Sequence, residues 1–97
     1  MKTLADVKRR MRVGLVYRCE HHLKPGISGQ RTVMQVQANA IASARPGEDT
    51  LDRARWIWCN WGKASEWKIE GDSVTHLDQG QRIFTYHFDQ EEPSCSR

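Results

Sequence analysis

Four consecutive residues, Cys19, Glu20, His21 and His22, include the side chains that zinc prefers, and Cys59 and His76 further along are their candidate partners. The spacing argues against such a site. Adjacent histidines on an extended chain point to opposite faces, and neither C-x2-C nor H-x3-H occurs. The plainer reading makes Cys19 and Cys59 small buried strand residues and puts the histidines along a loop. No metal and no other cofactor is expected.

Nucleophilic catalysis is the second chemistry to weigh. Cys59 with His76 or His87 would make a thiol–imidazole pair, and Ser65 with His76 a hydroxyl version. Nothing around these residues resembles a nucleophile elbow or a cysteine-protease segment. Cys59 also sits between Trp58 and Asn60 in an apolar run, where burial raises a thiol pKa rather than lowering it. The glycines are scattered turn residues and form neither a phosphate loop nor a dinucleotide fingerprint. An enzyme is not expected.

Recognition is the third. Trp56, Trp58, Trp61 and Trp67 can stack on bases while Arg18, Arg31, Arg53 and Arg55 meet phosphates. Trp is equally the largest core filler, so at least two of the four belong inside, and any exposed remainder marks a binding surface. Lys8, Arg9, Arg10 and Arg12 form a basic run that suits a phosphate backbone, and that serves as well as a solvated face. The candidate binding residues are therefore Arg9, Arg10, Arg12, Arg18, Arg31, Arg55, Trp56 and Trp58.

The elements that must position these groups start with a short helix. Thr3 can cap it, with Asp6 three residues on in the manner of a capping box, and Leu4, Val7 and Met11 recur at helical spacing. Gly14 is the expected stop. Some ten helical residues are marginal alone, so the apolar stripe must dock on a sheet. Everything beyond Gly14 reads as strands and turns. A β-rich run covers residues 15–20, and turn chemistry with a mobile tip covers residues 23–30. Residues 31–38 alternate, Thr32, Met34 and Val36 against Val33, Gln35 and Gln37, with Val33 the exception; residues 39–44 extend that strand. A loop at residues 45–49 precedes the strongest strand signal, residues 55–61, with Trp56 and Trp58 on one face and Ile57, Cys59 and Trp61 on the other. Residues 67–69, 74–77 and 83–88 complete the set, separated by turns at 70–73 and 78–81.

Connections this short favour hairpins over β-α-β units. The expected fold is α+β: a short N-terminal helix packed on a strongly curled antiparallel β-meander of about six strands, a small open barrel. Residues 1–90 form one domain and residues 91–97 a frayed tail.

Ninety-seven residues suffice for one core without staples. Three cysteines without paired spacing point to reduced thiols. No stretch approaches the ~18 apolar residues of a membrane span, and the N-terminus does not read as a signal peptide, so no membrane partner and a cytoplasmic location are expected. The net charge of +3 is unevenly spread: residues 1–45 hold nine Lys and Arg against two acids, and residues 46–97 hold six against ten. A basic front half can attract nucleic acid or an acidic protein.

Three stretches carry a resemblance: Thr3-Leu4-Ala5-Asp6-Val7-Lys8-Arg9-Arg10-Met11-Arg12-Val13-Gly14, Val36-Gln37-Ala38-Asn39-Ala40-Ile41 and Trp61-Gly62-Lys63-Ala64-Ser65-Glu66-Trp67. Together they resemble small accessory proteins of phages and prophages, some of which block bacterial defences in the manner of anti-CRISPR proteins or nucleotide sponges. The resemblance implies a non-enzymatic binding protein that inhibits or modulates a host factor, with a host protein or a signalling nucleotide as partner and homo-oligomers allowed. The alternative is a nucleic-acid-binding small barrel that uses the basic helix and exposed aromatics.

Overall fold

Helix α1 (Leu4–Arg10) begins where Thr3 accepts a hydrogen bond from the Asp6 amide and the Asp6 carboxylate accepts from the Thr3 amide. This reciprocal cap satisfies donors that a first helical turn otherwise leaves open. The helix stops earlier than Gly14. The Met11 amide closes the last turn on the Val7 and Lys8 carbonyls, and Gly14 instead takes a positive φ of 97° in the turn that hands the chain to the sheet. Burying Leu4, Val7 and Met11 contributes roughly 1.5–3 kcal/mol per side chain, which is what holds so short a helix.

The computed structural model describes residues 2–88, without the side chains of residues 48 and 49. The strands are β1 (Val16–His21), β2 (Gly29–Gln37), β3 (Ala40–Ala44), β4 (Ile57–Asn60), β5 (Trp67–Glu70), β6 (Ser73–Asp78) and β7 (Gln81–His87). They form one antiparallel sheet in the order β4-β3-β2-β1-β7-β6-β5. The sheet curls but does not close, so β4 and β5 remain its outer edges. No helix among the described residues is long and apolar enough to cross a membrane.

Two differences from the sequence expectation each have a local cause. Seven strands are present rather than six, because residues 38 and 39 turn the chain and β3 pairs back on β2. The alanines of β3 give no alternating signal, yet every residue of that strand is buried between its two neighbours. The Trp-rich strand is shorter than residues 55–61: Arg53–Arg55 forms a 3-10 turn whose Ala54 amide is held by Asp52, and only Ile57–Asn60 pairs with β3. Local bonding at the Asp52 cap outcompetes pairing there. The tail expected at residues 91–97 lies outside the described residues.

Cross-strand registers settle which side chains share a face. Tyr17 faces Arg31, Cys19 faces Tyr86, His21 faces Phe84, and His76 lies between Phe84 and Trp67. All of these point to the inner, concave side. There α1 packs with Tyr17, Val33, Trp61, Val74, Tyr86 and Phe88 to form the core. The helix is pinned across one end of the curl. Lys8 Nζ donates to Asn39 in the β2–β3 turn, and Arg10 reaches both Asp72 in the β5–β6 turn and the Phe88 carbonyl. The other end is left open.

Candidate functional site: an open cup in the curled sheet

At that open end the inner face encloses a cavity of about 340 Å³, within the size range of small-ligand sites. Its walls come from both sheet edges and the strands between: Ile57, Trp58, Cys59 and Asn60 of β4, Arg31 of β2, Cys19 and His21 of β1, Phe84 and Tyr86 of β7, His76 of β6 and Trp67 of β5, with Ile27 from the β1–β2 tip. The aromatic wall is continuous. His76 stacks on Phe84 with centroids 5.2 Å and planes 16° apart, and Trp67 packs against His76 at 4.7 Å and Phe84 at 5.7 Å.

Among the described residues Arg31 is the one permanent charge in this lining, and only 6% of it is exposed. Among the described residues it has neither an ion-pair partner nor a side-chain hydrogen bond. Its guanidinium nitrogens are not among the side-chain atoms sealed from solvent, so they open onto the cavity, where an anion would gain charge-assisted hydrogen bonds. His76 Nδ1 is sealed from solvent without a partner among the described residues, a state that costs about 1–3 kcal/mol.

The remaining polar groups of the cup are neutral. Burial pushes the Cys19 and Cys59 thiols up and takes the Tyr86 hydroxyl well above its ordinary range. Burial, then the Lys24 and Arg31 charges, hold His21 below the usual imidazole value. The Nδ1 of His21 accepts the Lys24 amide at 2.9 Å, which assigns the proton of the neutral ring to Nε2 and makes that nitrogen a donor.

The other candidates do not gather. Arg9 is exposed and pairs with Asp6, while Arg10 is held by Asp72 and lies over the Phe88 ring. Arg12 is exposed beside Val13, Arg18 points outward from β1, and Arg55 pairs with Asp52 at 3.3 Å. Trp56 is half-buried under Arg53 and donates to the Thr50 carbonyl. Trp61 and Trp67 belong to the core, and Trp67 Nε1 donates to the Trp61 carbonyl at 2.6 Å. Trp58, 47% exposed, borders the cup. Of the eight residues singled out in the sequence, the cup thus unites Arg31 and Trp58.

Cys19, His21, Cys59 and His76 do line one cavity, yet among the described residues no three metal-ligating side chains converge as a metal site requires. Cys59 and His76 form no thiolate pair, since burial raises the thiol and its hydrogen-bonding contacts are with the Asn60 carbonyl, at 3.9 Å, and with Tyr86. His87 turns outward to Glu20, and Ser65 is exposed. A row of polar groups on the outer face joins Glu20 and His22, weighed in the sequence only as metal ligands, to two threonines that sequence reasoning did not single out. His22 Nε2 lies 2.7 Å from Thr85 Oγ1, His22 Nδ1 lies 4.0 Å from Glu20, and Thr85 shares its hydroxyl with Thr75 at 2.8 Å. The hydroxyl–imidazole–carboxylate order is that of a catalytic triad, but Thr85 is buried and already bonded twice, so the row works as a cross-strand clamp.

Phe84 and Tyr86 were the residues of the cup that sequence reading never singled out, although Phe84, Tyr86 and Phe88 alternate on a single face of β7. In comparisons with known proteins the chain matches no family, no curated protein and no solved structure.

Proposed function

We propose that this chain is a non-enzymatic binding protein that takes a small ligand into the open end of its curled sheet. The observation that carries the reading is Arg31: a largely buried cation without a partner among the described residues, on the wall of an aromatic cavity. A folded chain tolerates such a group where a ligand completes it. The neutral thiols and phenol around it offer no activated nucleophile or base, which favours holding over turning over.

The likeness to phage accessory proteins gives this reading a setting, also as a proposal: a protein that withdraws a small signal from a host process. The nucleic-acid alternative has less support. Arg9 and Arg10 are tied to Asp6 and Asp72, and the half-buried and exposed indoles do not form a strip beside them.

Amide-shift mapping with a library of small aromatic fragments tests the proposal. Binders are expected to shift Cys19, Arg31, Cys59, Trp67 and Phe84 together. Fragments that leave these five unmoved, or that only scatter over the outer face, would overturn it.

A further inference from the structure

We infer that the ligand of the cup is a planar aromatic ring bearing an oxyanion, carboxylate or phosphate, with the oxyanion on Arg31. The inference rests on the proposal that the cup holds a small ligand, and adds the chemistry of that ligand.

The charge requirement comes from the lining. Among the described residues Arg31 carries its only permanent charge and no acid lines the cavity. A guanidinium presents a planar fork of donors that matches a carboxylate or phosphate edge with two parallel hydrogen bonds. A second donor stands nearby. His21 keeps its proton on Nε2 because Nδ1 is occupied by the Lys24 amide, and it lies close enough to Arg31 to feel that charge. An adjoining hollow of about 180 Å³ shares Arg31 and Ile27 with the cup and is also lined by Arg45.

The ring requirement comes from the opposite wall. Trp67, His76 and Phe84 present clustered ring surfaces against which a planar ring can stack. At about 340 Å³ the cup takes one ring system with its acid group, and a cyclic oligonucleotide or a peptide would not be enclosed.

Calorimetric titration of the full chain, with adenosine monophosphate, uridine monophosphate and indole-3-acetate as probes, tests the inference. Adenosine, uridine, indole and inorganic phosphate serve as the matched partial ligands. At least one ringed oxyanion is expected to bind about ten- to a hundredfold more tightly than its uncharged ring, as charge-assisted hydrogen bonds allow. The three probes separate a phosphate from a carboxylate preference. Arg31→Met is expected to abolish that advantage while leaving uncharged rings within about twofold. Arg31→Lys is expected to keep part of it, since the charge stays and the fork is lost. Because Arg31→Met removes an unpaired buried charge, its melting temperature is expected to rise. A fall would show that the guanidinium serves the fold, and would overturn the inference. Equal binding of charged and uncharged rings would overturn it too, with the small-ligand reading left standing. Inorganic phosphate binding as tightly as any ringed probe would remove the ring requirement. If no aromatic probe or fragment enters the cup, both readings fall.

Discussion

Tyr17 donates its hydroxyl to Ser43 Oγ at 2.7 Å, a buried bond that ties β1 to β3 across the intervening β2. Both residues face the inside of the curl, and Tyr17 also meets Tyr86 edge-on at 4.9 Å. Burial pushes the Tyr17 hydroxyl up to about 12, and Tyr86 well above its ordinary value. These are the only tyrosines of the chain.

An alkaline titration should therefore show no phenolate absorbance near pH 10 while the chain is folded. Because the folded-state value of Tyr17 lies above the unfolded one, its neutral form stabilises the fold fully below pH ~10. That contribution, about 2–3 kcal/mol for a rise of roughly two units, is lost as the pH climbs from 10 towards about 12. Phenolate appearing together with unfolding, rather than before it, is the expected observation. Tyr17→Phe should cost about 1–3 kcal/mol by denaturant melting, since it leaves the Ser43 hydroxyl buried and unpaired.

The tryptophans should separate cleanly by stability. Trp61 is buried against Trp67 at 5.0 Å and Tyr86 at 6.4 Å, so Trp61→Ala is expected to cost about 3–5 kcal/mol. Trp58→Ala on the exposed side of β4 should stay within about 0.5 kcal/mol of the parent. Urea unfolding of both variants checks the contrast, and equal losses would contradict the assignment of core and rim.

Gly62 stands at φ +66°, and a Cβ there would come within 2.7 Å of Glu66 Oε1. Glu66 is a flexible partner that accepts the Lys63 amide, so it can swing away, whereas the backbone conformation cannot be relieved. Gly62→Ala should cost about 1–2 kcal/mol. Most of that loss should persist in a Glu66→Ala background, and a double-mutant cycle measures it.

Thr3→Ala removes one half of the reciprocal cap and should cost about 0.5–2 kcal/mol, read as a lower urea midpoint. The other half responds to acid. Hydrogen bonds from the Lys2 and Thr3 amides hold the Asp6 carboxyl below its ordinary pKa. Its contribution is therefore present above the unfolded-state value and fades as the pH falls through the folded one. Acid-induced loss of helical signal should come earlier in Asp6→Asn than in the parent.

The helix stripe and the hairpins of the last three strands were legible in the sequence because each follows from local spacing, whereas the tryptophans gave only the expectation that at least two lie inside, not which two. Leu4, Val7 and Met11 recur at helical intervals, and Gly71 and Gly80 mark turns that only positive φ allows. β2 was not legible in the same way. Alternation by hydrophobicity makes Val33 the exception, yet Val33 is fully buried while Val36 is 42% exposed. A register shift between Val33 and Gln35 breaks the parity of the strand, and Arg31 shares the inward face with Val33. An arginine is the last residue that periodicity assigns to an inner face. The key cation of the cup was thus visible as a basic residue but not as a buried one. Trp58 was found by its type, and Phe84 and His76 needed the pairing that stacks them.

The strand order carries a consequence for how the chain assembles. Every pairing joins sequence neighbours except β1 with β7, where Arg18 meets His87 and His21 meets Phe84. Two local meanders, β1 to β4 and β5 to β7, can each form early, and the long loop between them is closed only when this seam zips. His21, Cys19, Phe84 and Tyr86 line both the seam and the cup. The cup therefore does not exist in either half. A molecule lodged there bridges the last joint to form, and it acts as a latch on the first joint to open.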